Sequence, residues 1–249
     1  MPLVSTRALV LQTFPYSETS KILRLFTWEH GLRSVIAKGA LRPRSRFGGV
    51  LEPFTEGTAQ IYLKEGRELQ TLSGFDLLRS RQALGRSLAA FAGASLMAEV
   101  AIRTGTEDPQ PALYAELAAG WDSIAAAADE AAAEAAVLGG AWRIVSLVGF
   151  EPQTDACVVC GRDAAPDKPV RFDAEAGGVA CTSCRPVGRL IDPQSRAELR
   201  RMIRGLPLNA PLGRPGLHRA LLRTFLEMQL AHGKPFRSLE LFMTGMEEA

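Results

Sequence analysis

The stretch TRALVLQTFPYSETSKILRLFTWEHGLRSVIAK, residues 6–38, reads as three short strands separated by two tight breaks. Apolar and β-branched residues dominate 6–14, 20–28 and 32–38, while Pro15-Tyr16-Ser17 and Glu29-His30-Gly31 interrupt them. Two further runs, TEGTAQIYL at 55–63 and LQTLSGFDLL at 69–78, complete a set of five, with the turn glycine Gly66 between them. Five strands in 78 residues suit a small closed barrel, and such a barrel that meets nucleic acid is often an OB-fold. The expected first domain is therefore 1–78.

Working outward, the spacing changes to helical from Arg79, with Leu84, Leu88, Phe91, Ser95 and Val100 on one broad apolar face. Helices are predicted at about 112–128 and 129–148. The alanine run 125–136 reads as helix more readily than as linker, because alanine has the highest helix propensity and the run contains no glycine or proline. Gly149 and Pro152 end this part, giving 79–150 as the first portion of a helical domain. Residues 151–188 are rich in Gly, Pro and Cys and short of apolar side chains, so this insert is expected to need a staple. Helices at about 193–204 and 216–232 return the chain to the helical domain, 189–249, and 237–243 fits a strand or a helical turn equally. The fold class is thus α+β and multidomain. No repeat at a fixed period is present.

Composition sets the frame. The chain has 249 residues, 47% apolar and 22% charged, which suits two units plus a small insert. No uncharged apolar run reaches membrane-spanning length, and the first 16 residues lack the features of a secretory leader, so a cytoplasmic location is expected. The net charge of +2 hides a strong asymmetry: residues 31–51 hold Arg33, Lys38, Arg42, Arg44 and Arg46 with no acidic residue, whereas 107–136 hold acidic residues and no basic one.

Two motifs carry chemistry. Cys157-Val158-Val159-Cys160 and Cys181-Thr182-Ser183-Cys184 are the chain's four cysteines, and 20 residues separate the pairs. In a reducing compartment that spacing points to one structural zinc, with an iron cluster or redox dithiol as the other readings. Four protein ligands leave no open position for water, so the ion would fold the insert and not catalyse. Gly161 stands where a knuckle turn favours positive φ.

The second motif is the run from Ala37 to Gly49, AKGALRPRSRFGG, in which glycine and proline prevent regular structure and every charge is positive. Arginine forks suit phosphate oxygens, and Phe47 offers a stacking face to a base. A solvated loop is the plain alternative. Strand parity puts Arg24 with Ile22 and Phe26 and Lys21 with Leu23 and Leu25. It also separates Arg33 from Lys38, so loop and strand-end cations are the better candidates. Arg196, Arg200, Arg201 and Arg204 would make one face of a helix positive, as an extended DNA path, a docking face or a plain solvated surface.

Catalytic signatures are missing. Of three histidines, His30, His218 and His232, none sits in H-E-x-x-H or H-x-E context, and the last two suit core or cap positions. No G-x-G-x-x-G, Walker A or G-x-S-x-G pattern occurs.

The segments Ala8-Leu9-Val10-Leu11 and 17–27 (SETSKILRLFT), the following 31–47, the approach Gly149-Phe150-Glu151-Pro152 and the paired C-x-x-C motifs together resemble the RecO family, bacterial DNA repair and recombination mediators. Nearly the whole chain is covered. The resemblance implies an N-terminal OB-fold, a helical domain and an inserted zinc knuckle. It also implies a protein without turnover chemistry that binds single- and double-stranded DNA and anneals complementary strands. With RecR, such a protein loads RecA, within a pathway that also uses RecF, onto strands coated by single-stranded DNA-binding protein (SSB). By position, Lys38, Arg42, Arg44 and Arg46 take the DNA-binding role, with Lys21 and Arg33 as weaker members, and Arg143 beside Trp142 is the candidate for the carboxylate of the SSB C-terminal tail. The alanine-rich stretch 121–136 is not demanded by the family pattern. Two other classes compete: a zinc-ribbon protein-binding adaptor without DNA affinity, and a nuclease needing clustered carboxylates and a divalent ion.

Overall fold

A computed structural model describes residues 2–184, 187–231 and 233–245. His232 lies outside the described residues. The five expected strands are β1 (Leu3–Pro15), β2 (Lys21–Thr27), β3 (Gly31–Ala37), β4 (Glu56–Tyr62) and β5 (Leu69–Arg79). They close into a barrel of order β1-β2-β3-β5-β4, in which β3 and β5 are parallel and the other neighbours antiparallel. This is the five-stranded OB arrangement. β1 can serve two partners because it is long and because its register with β2 shifts between Val10 and Gln12, a bulge that lets one strand curve around the barrel.

Alternation along the strands builds two separate cores. Ala8, Val10, Leu23, Leu25, Val35, Ala59, Ile61 and Leu72 point inward and fill the barrel. Leu9, Leu11, Phe26 and Leu32 join the apolar cluster of the helical domain. The barrel is thus fixed to the helices through the outward residues of its own strands.

The helical domain opens with a 3-10 turn, Gln82–Arg86, followed by α1 (Leu88–Thr104), α2 (Pro111–Ala125) and α3 (Glu130–Val145). Asp129 caps α3 by accepting from the Ala132 N–H at 2.8 Å, so the alanine run is split between two helices. The apolar face expected for α1 is corrected. Leu88 and Phe91 are exposed, and the buried surface is made mainly of small residues, from Ala89 to Ala101, with Leu96, Met97 and Val100. Close approach explains it: a Cβ on Gly93 would lie 2.1 Å from Val137, and one on Gly120 would lie 2.2 Å from Met97. Residues Glu130–Phe150 are long and apolar enough to cross a membrane, but here they form the central helix, packed against α1, α2 and two later helices.

After a kinked turn at Ser146–Phe150 comes the insert, a three-stranded sheet of β6 (Val170–Asp173), β7 (Gly178–Ala180) and β8 (Arg189–Ile191) in the order β7-β6-β8. Val170, Phe172, Val179 and Ile191 belong to the helical core, where Phe172, Trp142 and Phe225 meet ring to ring. The insert thus agrees with having too few apolar residues to hold itself, but the cysteines are not its only staple, since its sheet borrows the helical core. Helices α4 (Pro193–Ile203), α5 (Pro215–Gln229) and α6 (Arg237–Gly245) complete the chain, so the open assignment at 237–243 resolves to helix.

A buried polar cluster crosses the junction between barrel and helices. Arg81, with 2% of its side chain exposed, donates to Glu56 Oε2 at 3.2 Å, Asp122 Oδ1 at 2.7 Å and the Phe54 carbonyl at 3.1 Å. Glu56 also accepts from Arg7 at 2.5 Å and from the Tyr114 hydroxyl at 3.2 Å. Burial alone would raise the Glu56 carboxyl; the hydrogen bonds from Arg7 and Arg81 outweigh it and hold the group below its ordinary value.

Candidate nucleic-acid interface and metal centre

Between β3 and β4 the chain makes a succession of tight turns instead of a strand or helix. Backbone bonds Arg42 N to Gly39 O, Ser45 N to Arg42 O, Gly48 N to Ser45 O and Val50 N to Phe47 O hold it. Phe47, 2% exposed, and Leu51 drop into the barrel core, which pins the loop across one end of the barrel. Phe47 is therefore not a face for a nucleobase. It is the plug, and the Arg46 guanidinium lies 5.0 Å from its ring centroid.

Pinning the loop leaves its charges outside. Lys38, Arg42, Arg44 and Arg46 are all exposed, and among the described residues none of them has an ion-pair partner. Four unpaired cations on one short loop make a local positive field. Lys21 opens at the same end of the barrel, since it pairs with Ala37, but it is held by Glu52 at 2.8 Å. Arg33, opposite Leu25, sits toward the other end and is ion-paired with Glu107, whose carbonyl also accepts from it at 3.0 Å. Arg24 donates to Ser34 Oγ at 2.6 Å on the outer face.

The arginines of α4 do not continue this surface. Arg196 is 2% exposed and donates to the Ala165 carbonyl at 2.8 Å, and Arg200 and Arg204 both pair with Asp155. Arg201 donates to the Pro207 carbonyl at 2.6 Å. The expectation of one positive helix face is corrected, because Arg196, Arg200 and Arg204 clasp the base of the cysteine insert and Arg201 holds the connector after α4.

In that insert all four cysteine Sγ atoms lie within 4.8 Å of one another, with Cys160 and Cys181 at 4.0 Å. Tetrahedral thiolates at the usual metal–sulfur distance are roughly 3.8 Å apart, so the cluster is close to ligating geometry. Gly161 has φ +70 and closes the first knuckle, as its position in sequence requires. The backbone N–H groups of Val159 and Cys181 point at Cys157 Sγ, at 3.4 and 3.3 Å. These amide bonds overcome burial and draw the Cys157 thiol down, and the Arg162 guanidinium at 3.4 Å draws Cys160 down to about 6. Cys181 moves the other way, to about 11, chiefly through its bond with Cys157. Negative charge is thus favoured at two sulfurs and refused at their neighbours, the condition a bound cation relieves. Donor set and geometry fit a metal ion.

Arg143 projects from α3 beside a groove of about 610 Å³ between α2, α3 and the connector after α4, lined by residues such as Ala119, Ala135, Gly139, Leu206 and Leu208. Its guanidinium packs against Gly205 and lies 4.0 Å from Glu116, both at the groove. His218, on α5, is fully buried with Nε2 2.8 Å from Glu198, a core histidine as expected. The Arg81–Glu56–Asp122 cluster was not legible in sequence, since its members are distant in the chain and share no spacing.

Comparison with known proteins agrees with this anatomy. A family model described as Recombination protein O N terminal matches residues 1–81, and one described as Recombination protein O C terminal matches 85–240. A DNA repair protein RecO of Anaeromyxobacter sp. (strain K) is 36% identical over 242 residues, covering 92% of each chain. One from Rubrobacter xylanophilus is 34% identical over 247 residues, covering 96% of each. A third, from Thermoanaerobacter sp. (strain X514), is 31% identical over 188 residues, covering 74% of this chain and 72% of its own. With both family models in chain order over the barrel and the helical part, the chain belongs to the RecO family of DNA repair and recombination proteins.

Proposed function

We propose that this protein is a non-catalytic mediator that binds single- and double-stranded DNA through the barrel loop and anneals complementary strands. Lys38, Arg42, Arg44 and Arg46 supply the phosphate contacts, and Lys21 and Arg33 contribute less because each already has a carboxylate partner. The observation that carries the reading is a loop pinned by Phe47 in a RecO-family chain, whose exposed cations have no ion-pair partner among the described residues. Annealing follows from elementary electrostatics. Cations that neutralise two backbones lower the repulsion between strands, while contacts to phosphate leave base edges free to pair.

Family membership supports the remaining roles in this proposal. The protein works with RecR to load RecA onto SSB-coated strands, in a pathway that includes RecF, as a cytoplasmic, nucleoid-associated factor. The apolar groove beside Arg143 receives the SSB C-terminal tail, with the guanidinium meeting its carboxylate in competition with Glu116. Cys157, Cys160, Cys181 and Cys184 hold one structural Zn2+, which supplies cross-linking of the insert and no open coordination position.

The test is annealing of complementary oligonucleotides by the chain and by its Arg42→Ala/Arg44→Ala/Arg46→Ala variant. Loss of annealing with an unchanged fold supports the mediator. Unchanged annealing favours a protein-binding adaptor, and magnesium-dependent cleavage of the labelled strand would point to a nuclease.

A further inference from the structure

Burial of Phe47 leaves the cationic loop without an exposed ring of its own. Exposed rings at that end of the barrel come instead from the end of β1 and the turn after it, and Tyr16 is the more exposed. Tyr16 stands at the turn between β1 and β2 and is 61% exposed. Its backbone N–H bonds the Ser20 carbonyl at 2.9 Å, and the Leu41 N–H bonds the adjacent Thr19 carbonyl at 3.0 Å, so the Tyr16 turn and the start of the cationic loop are tied together. The strand register agrees, for Pro15 pairs with Lys21 and Lys21 with Ala37, the residue before Lys38. Among the described residues, no aromatic neighbour or side-chain hydrogen bond occupies the Tyr16 ring.

Charges sort the two sides of this surface. Glu18, exposed on the same turn, repels phosphate, whereas Arg42, Arg44 and Arg46 attract it. A strand crossing here is driven to lay its backbone along the loop and its bases toward the turn. Phe14 and Leu41, 43% and 41% exposed, extend the apolar side.

We propose that Tyr16 is a specificity-determining residue that stacks on an unpaired base and gives this surface its preference for single strands over duplex. The inference rests on the DNA-binding reading above. In a duplex the base faces are already stacked inside, so only the phosphate contacts remain; in a single strand a face is available to the ring.

The experiment uses the full chain, a fluorescent oligothymidine and a blunt duplex of equal length, with affinity followed by anisotropy. Tyr16→Ala should weaken single-strand binding about 5- to 150-fold, the loss of one base–aromatic stack, while duplex affinity and the salt slope stay as in the parent. Tyr16→Phe should restore single-strand affinity. Equal weakening on both DNAs, or no weakening on the single strand, would overturn the role of Tyr16 while leaving the loop's role intact. A parent chain that bound neither DNA would overturn both.

Discussion

Replacing Arg81 by methionine should unlock the junction between barrel and helices. The guanidinium is almost wholly buried and serves Glu56, Asp122 and the Phe54 carbonyl at once. Removing it leaves Glu56, with 7% of its side chain exposed, to Arg7 and Tyr114 alone. Breaking a buried ion pair from one side costs roughly 3–5 kcal/mol, and the surviving Arg7 contact places this case near 3. For a chain of this size that is a fall in Tm of about 6–12 °C. The pH dependence has a definite sign. Glu56 is depressed in the folded state, so its stabilisation is present above the ordinary carboxylate value of 4.5 and is lost as pH falls through the folded value. Without Arg81, burial is opposed by less and the acid transition moves to higher pH. Urea unfolding read by tryptophan fluorescence is suited to the measurement, because Trp121 lies 5.8 Å from Arg81 and Trp28 packs on Tyr114. The double variant Arg81→Met/Glu56→Leu should regain most of the loss, since neither charge is then buried alone. A cost below about 1 kcal/mol for Arg81→Met, or a double variant as damaged as the two singles added together, would refute the reasoning.

Chelation should loosen the knuckles at 153–164 and 181–184, seen as faster amide exchange and reactive thiols, while β6–β8 stay docked through Phe172 and Ile191; an apoprotein with exchange identical to the metal form would count against the cysteine site. Arg200→Ala with Arg204→Ala frees Asp155 and should raise protease sensitivity of the insert, yet leave the salt dependence of DNA binding unchanged; a reduced slope would put α4 back on the DNA path. Gly31→Ala should cost more than about 2 kcal/mol, because Gly31 has φ +58 and a Cβ there would sit 2.3 Å from the Asp108 carbonyl oxygen, which thermal denaturation can check.

Much of the fold was readable because local signals agreed. Alternating apolar residues and Gly31 or Gly66 at the breaks define the strands, and a fixed cysteine spacing with Gly161 defines the knuckle. What escaped depends on partners far away in sequence. Phe47 looks like a loop aromatic because one buried residue in a Gly- and Arg-rich run has no periodicity. Arg196, Arg200 and Arg204 look like a solvated stripe because their acceptors, Ala165 and Asp155, lie some 30 to 50 residues earlier. On α1 the large residues suggested the wrong face, since tight helix packing favours alanine and glycine over Leu88 and Phe91. At the candidate interface, sequence singled out the cations of the loop, but their freedom from ion pairs depends on how the chain folds around them. The exposure of Tyr16 depends on it as well.

The most direct measurement is the dependence of single-strand affinity on salt for the parent and for Arg42→Ala/Arg44→Ala/Arg46→Ala. Each lost phosphate contact should make the log–log slope less steep by about 0.7, or about 2 for the three, and lower affinity on the order of 100-fold at 0.1 M salt. Superimposable salt curves for the two proteins would contradict the assignment of phosphate contacts to this loop.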